Sequence, residues 1–117
     1  MSMLDELQEI GVDVNEGLQR FMNNTSLYEK MLRTFPNMIH SSKISPDFDD
    51  SECDDMIEKT HALKGVTGNL SLTPLFVSYT KIVDSLRSGE PEEARVELNQ
   101  LLPVQEKIVN CIEKYSN

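Results

Sequence analysis

Apolar residues recur at spacings of three and four through most of the chain, and the breaks between these runs carry helix-start and helix-stop chemistry. A short opening helix is predicted from about Met3 to Ile10, stopping at Gly11. Asp13, followed three residues later by Glu16, resembles a capping box for a second helix to about Met22, with Asn23 and Asn24 as the turn. Ser26 and Glu29 form another capping pair ahead of a longer helix. Its apolar face is Leu27, Met31, Leu32, Phe35 and Ile39, and Pro36 should bend it. Ile44 to Asp50, with Ser45-Pro46 and three aspartates, reads as a loop ending at Ser51, which can cap the next helix. Thr73-Pro74 is a cap followed by a first-turn proline, opening a helix from about Leu75 to Arg87 that Gly89 closes. Pro91 opens the last helix, from Glu92 to about Tyr115, where Val96, Leu98, Leu101, Leu102, Val104, Ile108 and Ile112 repeat with helical period and Pro103 should introduce a kink. Met31, Phe35 and Phe76 are expected in the core. Four long helices with short connections predict an all-α fold, an antiparallel four-helix bundle with short additional N-terminal helices, built as one domain over 1–117.

The segment from Ser51 to Ser71 carries the candidate chemistry. Met56, Thr60, Leu63, Thr67 and Leu70 form the seam expected to face the bundle. An advance of about 100° per residue places His61 off that seam, so it should be exposed. Lys64 at i+3, Gly65 at i+4 and Gly68 at i+7 share its outward stripe, with Ile57 and Asn69 towards the edges. A glycine inside a helix costs on the order of 1 kcal/mol relative to alanine, so two on one exposed stripe call for a reason other than helix stability. Bare backbone beside an imidazole supplies one: a phosphoryl acceptor buried in another protein's acidic pocket can approach in line only where nothing projects around the ring nitrogen. Lys64 can reach the phosphoryl oxygens and offset their charge. An imidazole in water is substantially uncharged near neutral pH, which leaves it able to act as a nucleophile.

The run His61-Ala62-Leu63-Lys64-Gly65-Val66-Thr67-Gly68-Asn69-Leu70 resembles the signature of histidine-containing phosphotransfer (HPt) domains, His-x-Leu-Lys-Gly followed by small residues and an Asn-Leu or similar pair. Gly11 to Phe21, Leu27-Tyr28 and Leu32 to Phe35 resemble the opening helices of the same family, so the likeness covers most of the chain. It implies a four-helix bundle whose second long helix presents His61 to response-regulator receiver domains. His61 would accept phosphate at its far ring nitrogen and exchange it with a receiver aspartate, Lys64 would support the phosphoryl group, and the glycines would permit docking. Ser71 stands where many members have glycine, and Leu72, Tyr79 and Val83 replace residues that are often smaller or polar. These departures bear on packing at the helix junction rather than on transfer.

Composition narrows the alternatives. Five glycines, five prolines, no tryptophan and abundant straight-chain residues favour helix. A net charge of −9 argues against nucleic acid and an anionic membrane surface. No apolar run approaches the length of a membrane span, and the start lacks signal-peptide character, so a cytoplasmic location is expected. Cys53 and Cys111 lie far apart in no metal or redox motif. His40 also has a lysine three residues on, but Ile44 occupies i+4 and Ser45-Pro46 ends the helix, so it is assigned no role. Asp47, Asp49, Ser51, Asp55 and Glu58 match the first, third, fifth, ninth and twelfth positions of a calcium loop, yet Glu52 replaces the turn glycine and a helix start competes, so no metal is expected. No phosphate-binding glycine loop or paired catalytic carboxylates occur, so the chain should be a non-enzymatic carrier without cofactor. It would depend on a histidine kinase or hybrid kinase and a receiver as partners, and is expected to be a monomer. Two alternatives stand beside this reading. One is a receiver-docking module that carries no phosphate, using Ile57, Gly65 and Gly68. The other is an acyl-carrier-like protein, suggested by Asp84-Ser85-Leu86, although there the serine should begin a helix rather than end one.

Overall fold

Capping residues and prolines divide the chain into short N-terminal helices and three long ones. The computed structural model describes residues 2–116, and among these it contains helices and no strand. In order they are α1 (Met3–Ile10), α2 (Val14–Arg20), α3 (Thr25–Leu32), α4 (Phe35–Ser42), a 3-10 turn at Asp50–Glu52, α5 (Cys53–Asn69), α6 (Thr73–Arg87) and α7 (Pro91–Lys114). The expected all-α bundle is present. α5 packs along α6 and α6 along α7, while α1 and α4 lie against α7. At about 1.5 Å per residue, the 24 residues of α7 are about 36 Å long, against a longest dimension of 42 Å for the fold. The helix continues through Pro103.

Several helix starts differ from expectation. Asp13 does cap α2, its Oδ1 accepting the Glu16 N–H at 3.1 Å, but the reciprocal half of the box is missing because the Glu16 carboxylate goes to Ser71 and Arg20 instead. Asn24, not Ser26, caps α3 by accepting the Leu27 N–H. The long bent helix expected from Ser26 is two helices: Pro36 has no N–H for the Leu32 carbonyl and its ring would crowd that oxygen, so α3 ends at Leu32 and α4 begins at Phe35 with proline in its first turn. Ser51 caps nothing. Asp49 and Glu52 form the capping box of the 3-10 turn that leads into α5, and the Ser51 hydroxyl donates to Asp49. Thr73 is the first residue of α6, and its hydroxyl donates back to the Ser71 carbonyl rather than capping the helix. Arg95 of α7 fastens the preceding loop. It donates to the Phe48 carbonyl at 3.0 Å and to Asp50 and Glu92, and its guanidinium lies 4.4 Å from the Phe48 ring centroid.

The buried apolar side chains form one cluster, with Tyr28, Leu32, Phe35, Leu72, Leu75, Tyr79, Ile82, Leu98 and Ile108 at its centre. The α5 seam lies as expected, Met56, Thr60, Leu63, Thr67 and Leu70 all being buried. The two threonines are satisfied within their own helix, their hydroxyls donating to the carbonyls of Met56 and Leu63. Phe35 is in the core, but Met31 and Phe76 are exposed, each at 37 %, and Val96 lies outside as well. On α7 the inward position next to Ile108 and Leu101 is taken by Gln105, whose Oε1 accepts the Tyr79 hydroxyl.

Two buried phenols should make the fold alkali-sensitive. Burial, helped by the charges of Asp13 and Glu16, pushes the Tyr28 hydroxyl up to about 12, and burial raises Tyr79 as well, against the opposing hydrogen bond to Gln105. The folded chain therefore keeps protons that the unfolded chain releases from about pH 10. Stability is intact below that pH and falls as pH rises through the folded values. Denaturant midpoints taken from about pH 9 to about pH 12 should decline, and Tyr28→Phe should flatten the decline. A midpoint independent of pH over this range would contradict the assignment.

Candidate functional site

His61 sits in the middle of α5, on the face turned away from the Thr60 and Leu63 seam, and its side chain is exposed as the periodicity required. Neither ring nitrogen has a hydrogen-bond partner among the described residues. An open groove of about 580 Å³ runs beside it. α5 contributes His61, Lys64, Gly65, Gly68 and Asn69 to the lining; α2 and the residue before it contribute Asp13, Glu16 and Arg20; α6 contributes Thr73, Phe76 and Val77. The structure thus brings five of the six expected site residues to one surface. Ile57 is the exception, half-buried against the core and outside the groove.

The two glycines differ. A Cβ at Gly65 would meet nothing within 4 Å, so the backbone one turn beyond His61 is open to solvent. A Cβ at Gly68 would come within 3.0 Å of the Phe76 ring, so the small residue there accommodates a side chain of α6. The expectation that both glycines leave the helix bare is corrected: the clear space belongs to Gly65, and Phe76 leans over Gly68.

Lys64 is half-buried and has no carboxylate within ion-pair reach among the described residues, although α5 is rich in acidic side chains. Lys59, by contrast, pairs with Asp55 at 3.0 Å. At the far end of the groove Ser71 adopts a left-handed backbone, φ +56°, that ordinarily favours glycine. Its carbonyl accepts the Asp13 N–H at 3.1 Å and its hydroxyl donates to Glu16 at 2.9 Å. The Ser71 hydroxyl, and after it Arg20 at 3.2 Å, hold the Glu16 carboxyl below its usual range. Sequence reasoning gives Asp13, Glu16 and Thr73 capping roles only and Arg20 no role of its own; Asp13, Glu16 and Arg20 lie far upstream of His61 and Thr73 opens the next helix, and the packed bundle brings all four to its groove.

The remaining candidates lie elsewhere. His40 is on α4, 3.6 Å from Glu113. Cys111 is buried, and burial together with its contact to Glu6 pushes the thiol up to about 11, which leaves it a poor nucleophile. No group of three or more His, Cys, Asp or Glu residues suited to a metal occurs among the described residues, and Asp55 and Glu58 lie within α5 rather than in a loop. Ser85 is half-buried near the end of α6, not at a helix start. No described helix is long and apolar enough to cross a membrane. Comparison with protein-family models, curated proteins and solved structures gives no match.

Proposed function

We propose that the chain is a phosphorelay intermediate of the HPt kind, a cytoplasmic, non-enzymatic carrier that accepts a phosphoryl group on His61 and exchanges it with a receiver aspartate. The observation that carries this reading is the combination at one groove of an exposed imidazole and a lysine one turn on, neither side chain with an ionic or hydrogen-bonding partner among the described residues, and a glycine beside them whose outer face is open. Lys64 has no ion pair among the described residues to explain it, and an ammonium at that position would offset charge on the phosphoryl oxygens during transfer. Donor and acceptor both come from partners: a histidine kinase, a hybrid kinase or a receiver.

A docking module that carries no phosphate is the second reading, favoured by the exposure of Phe76 and Val77 at the groove edge. The acyl-carrier alternative is disfavoured by the position of Ser85. Incubation with a phosphorylated receiver separates carrier from docking module. The carrier reading expects acid-labile label on the wild-type chain and none on His61→Gln, with folding unchanged because the exposed ring makes no hydrogen bond to any described residue. Label that survives acid, or that persists in His61→Gln, would refute it. Full signalling by His61→Ala in cells would favour docking alone.

A further inference from the structure

The groove holds a second cation that this reading does not yet use. Arg20, the last residue of α2, lines the same groove as His61 and Lys64. Its Nε donates to Glu16, while the four N–H donors of its two terminal nitrogens have no partner among the described residues. The side chain is half exposed. It is nonetheless held in place from behind: Glu16 is fixed by the hydroxyl of buried Ser71, and Ser71 is tied through its carbonyl to the Asp13 N–H. The two carboxylates of the groove are therefore engaged, Asp13 on the start of α2 and Glu16 on Ser71 and Arg20. Among the described residues lining the groove, the cationic groups left to meet an anion are Lys64 and the outer edge of the Arg20 guanidinium.

We infer that Arg20 is a phosphoryl-binding residue of the groove, its unpaired fork taking phosphoryl oxygens during exchange at His61, with Glu16 and Ser71 as positioning residues that hold it there. The inference rests on the carrier reading. In the exchange, Nε2 of the neutral imidazole forms a bond to phosphorus and the bond from phosphorus to the partner's aspartate oxygen breaks. The aspartate leaves with the electron pair as a carboxylate, and the ring keeps its proton on Nδ1. Negative charge stays on the three phosphoryl oxygens throughout, so cations placed around them lower the barrier without moving a proton. A lysine offers a point charge, whereas a guanidinium grips two oxygens in its plane and fixes their orientation. On a chain of net charge −9 such local cations are what offsets the repulsion of an incoming phosphoryl group. The same oxygens can be met in two places, on His61 or still on the partner's aspartate.

The test loads wild type, Arg20→Gln, Arg20→Lys and Glu16→Gln with phosphoramidate, a donor that needs no docked protein. It follows the phosphohistidine by phosphorus NMR and hydrolysis, then measures exchange with a phosphorylated receiver. Arg20→Gln should lower kcat for exchange by about tenfold or more at unchanged KM, as expected for losing a charged hydrogen bond. Arg20→Lys should recover part of the rate, and Glu16→Gln should fall between, with thermal stability little altered. If the isolated phosphohistidine of Arg20→Gln also shows a shifted resonance and faster hydrolysis, the fork holds the group on His61. If only exchange suffers, it holds the group on the aspartate side of the complex. A raised KM at unchanged kcat, or wild-type behaviour in both assays, overturns the inference. A wild-type chain that takes label from phosphoramidate but exchanges none with any receiver overturns the carrier reading and this inference together, and is recognised because wild type and variants then behave alike.

Discussion

Gly65→Ala should make the protein more stable and, if the proposed carrier reading holds, slow its phosphoryl exchange. Gly65 lies in the interior of α5, in helical conformation, with open space where a Cβ would stand. Alanine there removes the entropic cost of a helical glycine without meeting a neighbour, a gain of about 1 kcal/mol, or about 4 °C in Tm for a domain of this size. On the proposed carrier reading, the same methyl projects into the space through which a partner's aspartyl phosphate would reach the imidazole. Because a displacement of about 1 Å at the reacting atoms can cost about 100-fold in rate, Gly65→Ala should slow exchange with a receiver about tenfold and Gly65→Leu by 100-fold or more. Loading by phosphoramidate, which requires no docked surface, should proceed at the wild-type rate in both. Thermal unfolding and the two loading assays suffice to check this. A Gly65→Leu chain that exchanges phosphate as fast as wild type would remove the reason given for the glycine; one equally slow with both donors would show that the side chain disturbs His61 itself.

The contrast between Gly65 and Gly68 marks what could be read from the sequence and what could not. Helical period was enough to place Met56, Thr60, Leu63, Thr67 and Leu70 inward and His61 outward, because every position on α5 inherits its direction from the same 100° step and the buried threonines satisfy their hydroxyls locally. The same step puts Gly68 on the His61 stripe but carries no information about α6, and it is the register of α6 that lays Phe76 across Gly68. Ile57 fails for a related reason: it is close to His61 in angle, yet the groove extends along α5 in the other direction, towards Asn69 and α2.

Local chemistry was ambiguous wherever two residues could do one job. Asn24 and Ser26 both suit a helix cap, as do Asp49 and Ser51, and the earlier residue is used in each case. Pro36 was visible as an obstruction, but whether it bends a helix or divides it depends on Phe35 having a core to fill at the restart. Arg95 has a local partner in Glu92, but nothing local points to its hold on the loop, since Phe48 and Asp50 lie 47 and 45 residues away. The Ser71–Glu16–Arg20 chain was hidden for the same reason, with Ser71 and Glu16 55 residues apart. Ser71 had been noted only as a departure from glycine. Its left-handed backbone accounts for glycine suiting that position, and its hydroxyl provides a link to Glu16 that glycine lacks.

Gly17→Ala should have the opposite sign to Gly65→Ala. Gly17 is buried on α2, and a Cβ there would stand 2.3 Å from both Cζ and Oη of Tyr28. That ring is fully buried and cannot swing aside freely, because its hydroxyl donates to the Leu70 carbonyl at 2.8 Å, where α5 ends. Helix propensity still favours alanine by about 1 kcal/mol, but overpacking of this severity costs about 3 kcal/mol, so a net loss of about 2 kcal/mol is expected in denaturant unfolding. If the ring is displaced, the Leu70 carbonyl also loses its phenol donor, which adds to the loss. The clash can be isolated by a double-mutant cycle. Tyr28→Leu is itself destabilising, but in that background the methyl of Gly17→Ala has room, and its cost should drop to near zero or become a gain. Strict additivity of the two substitutions would show that the ring is not what requires glycine at this position, and that α2 is not braced against the end of the His61 helix through Tyr28.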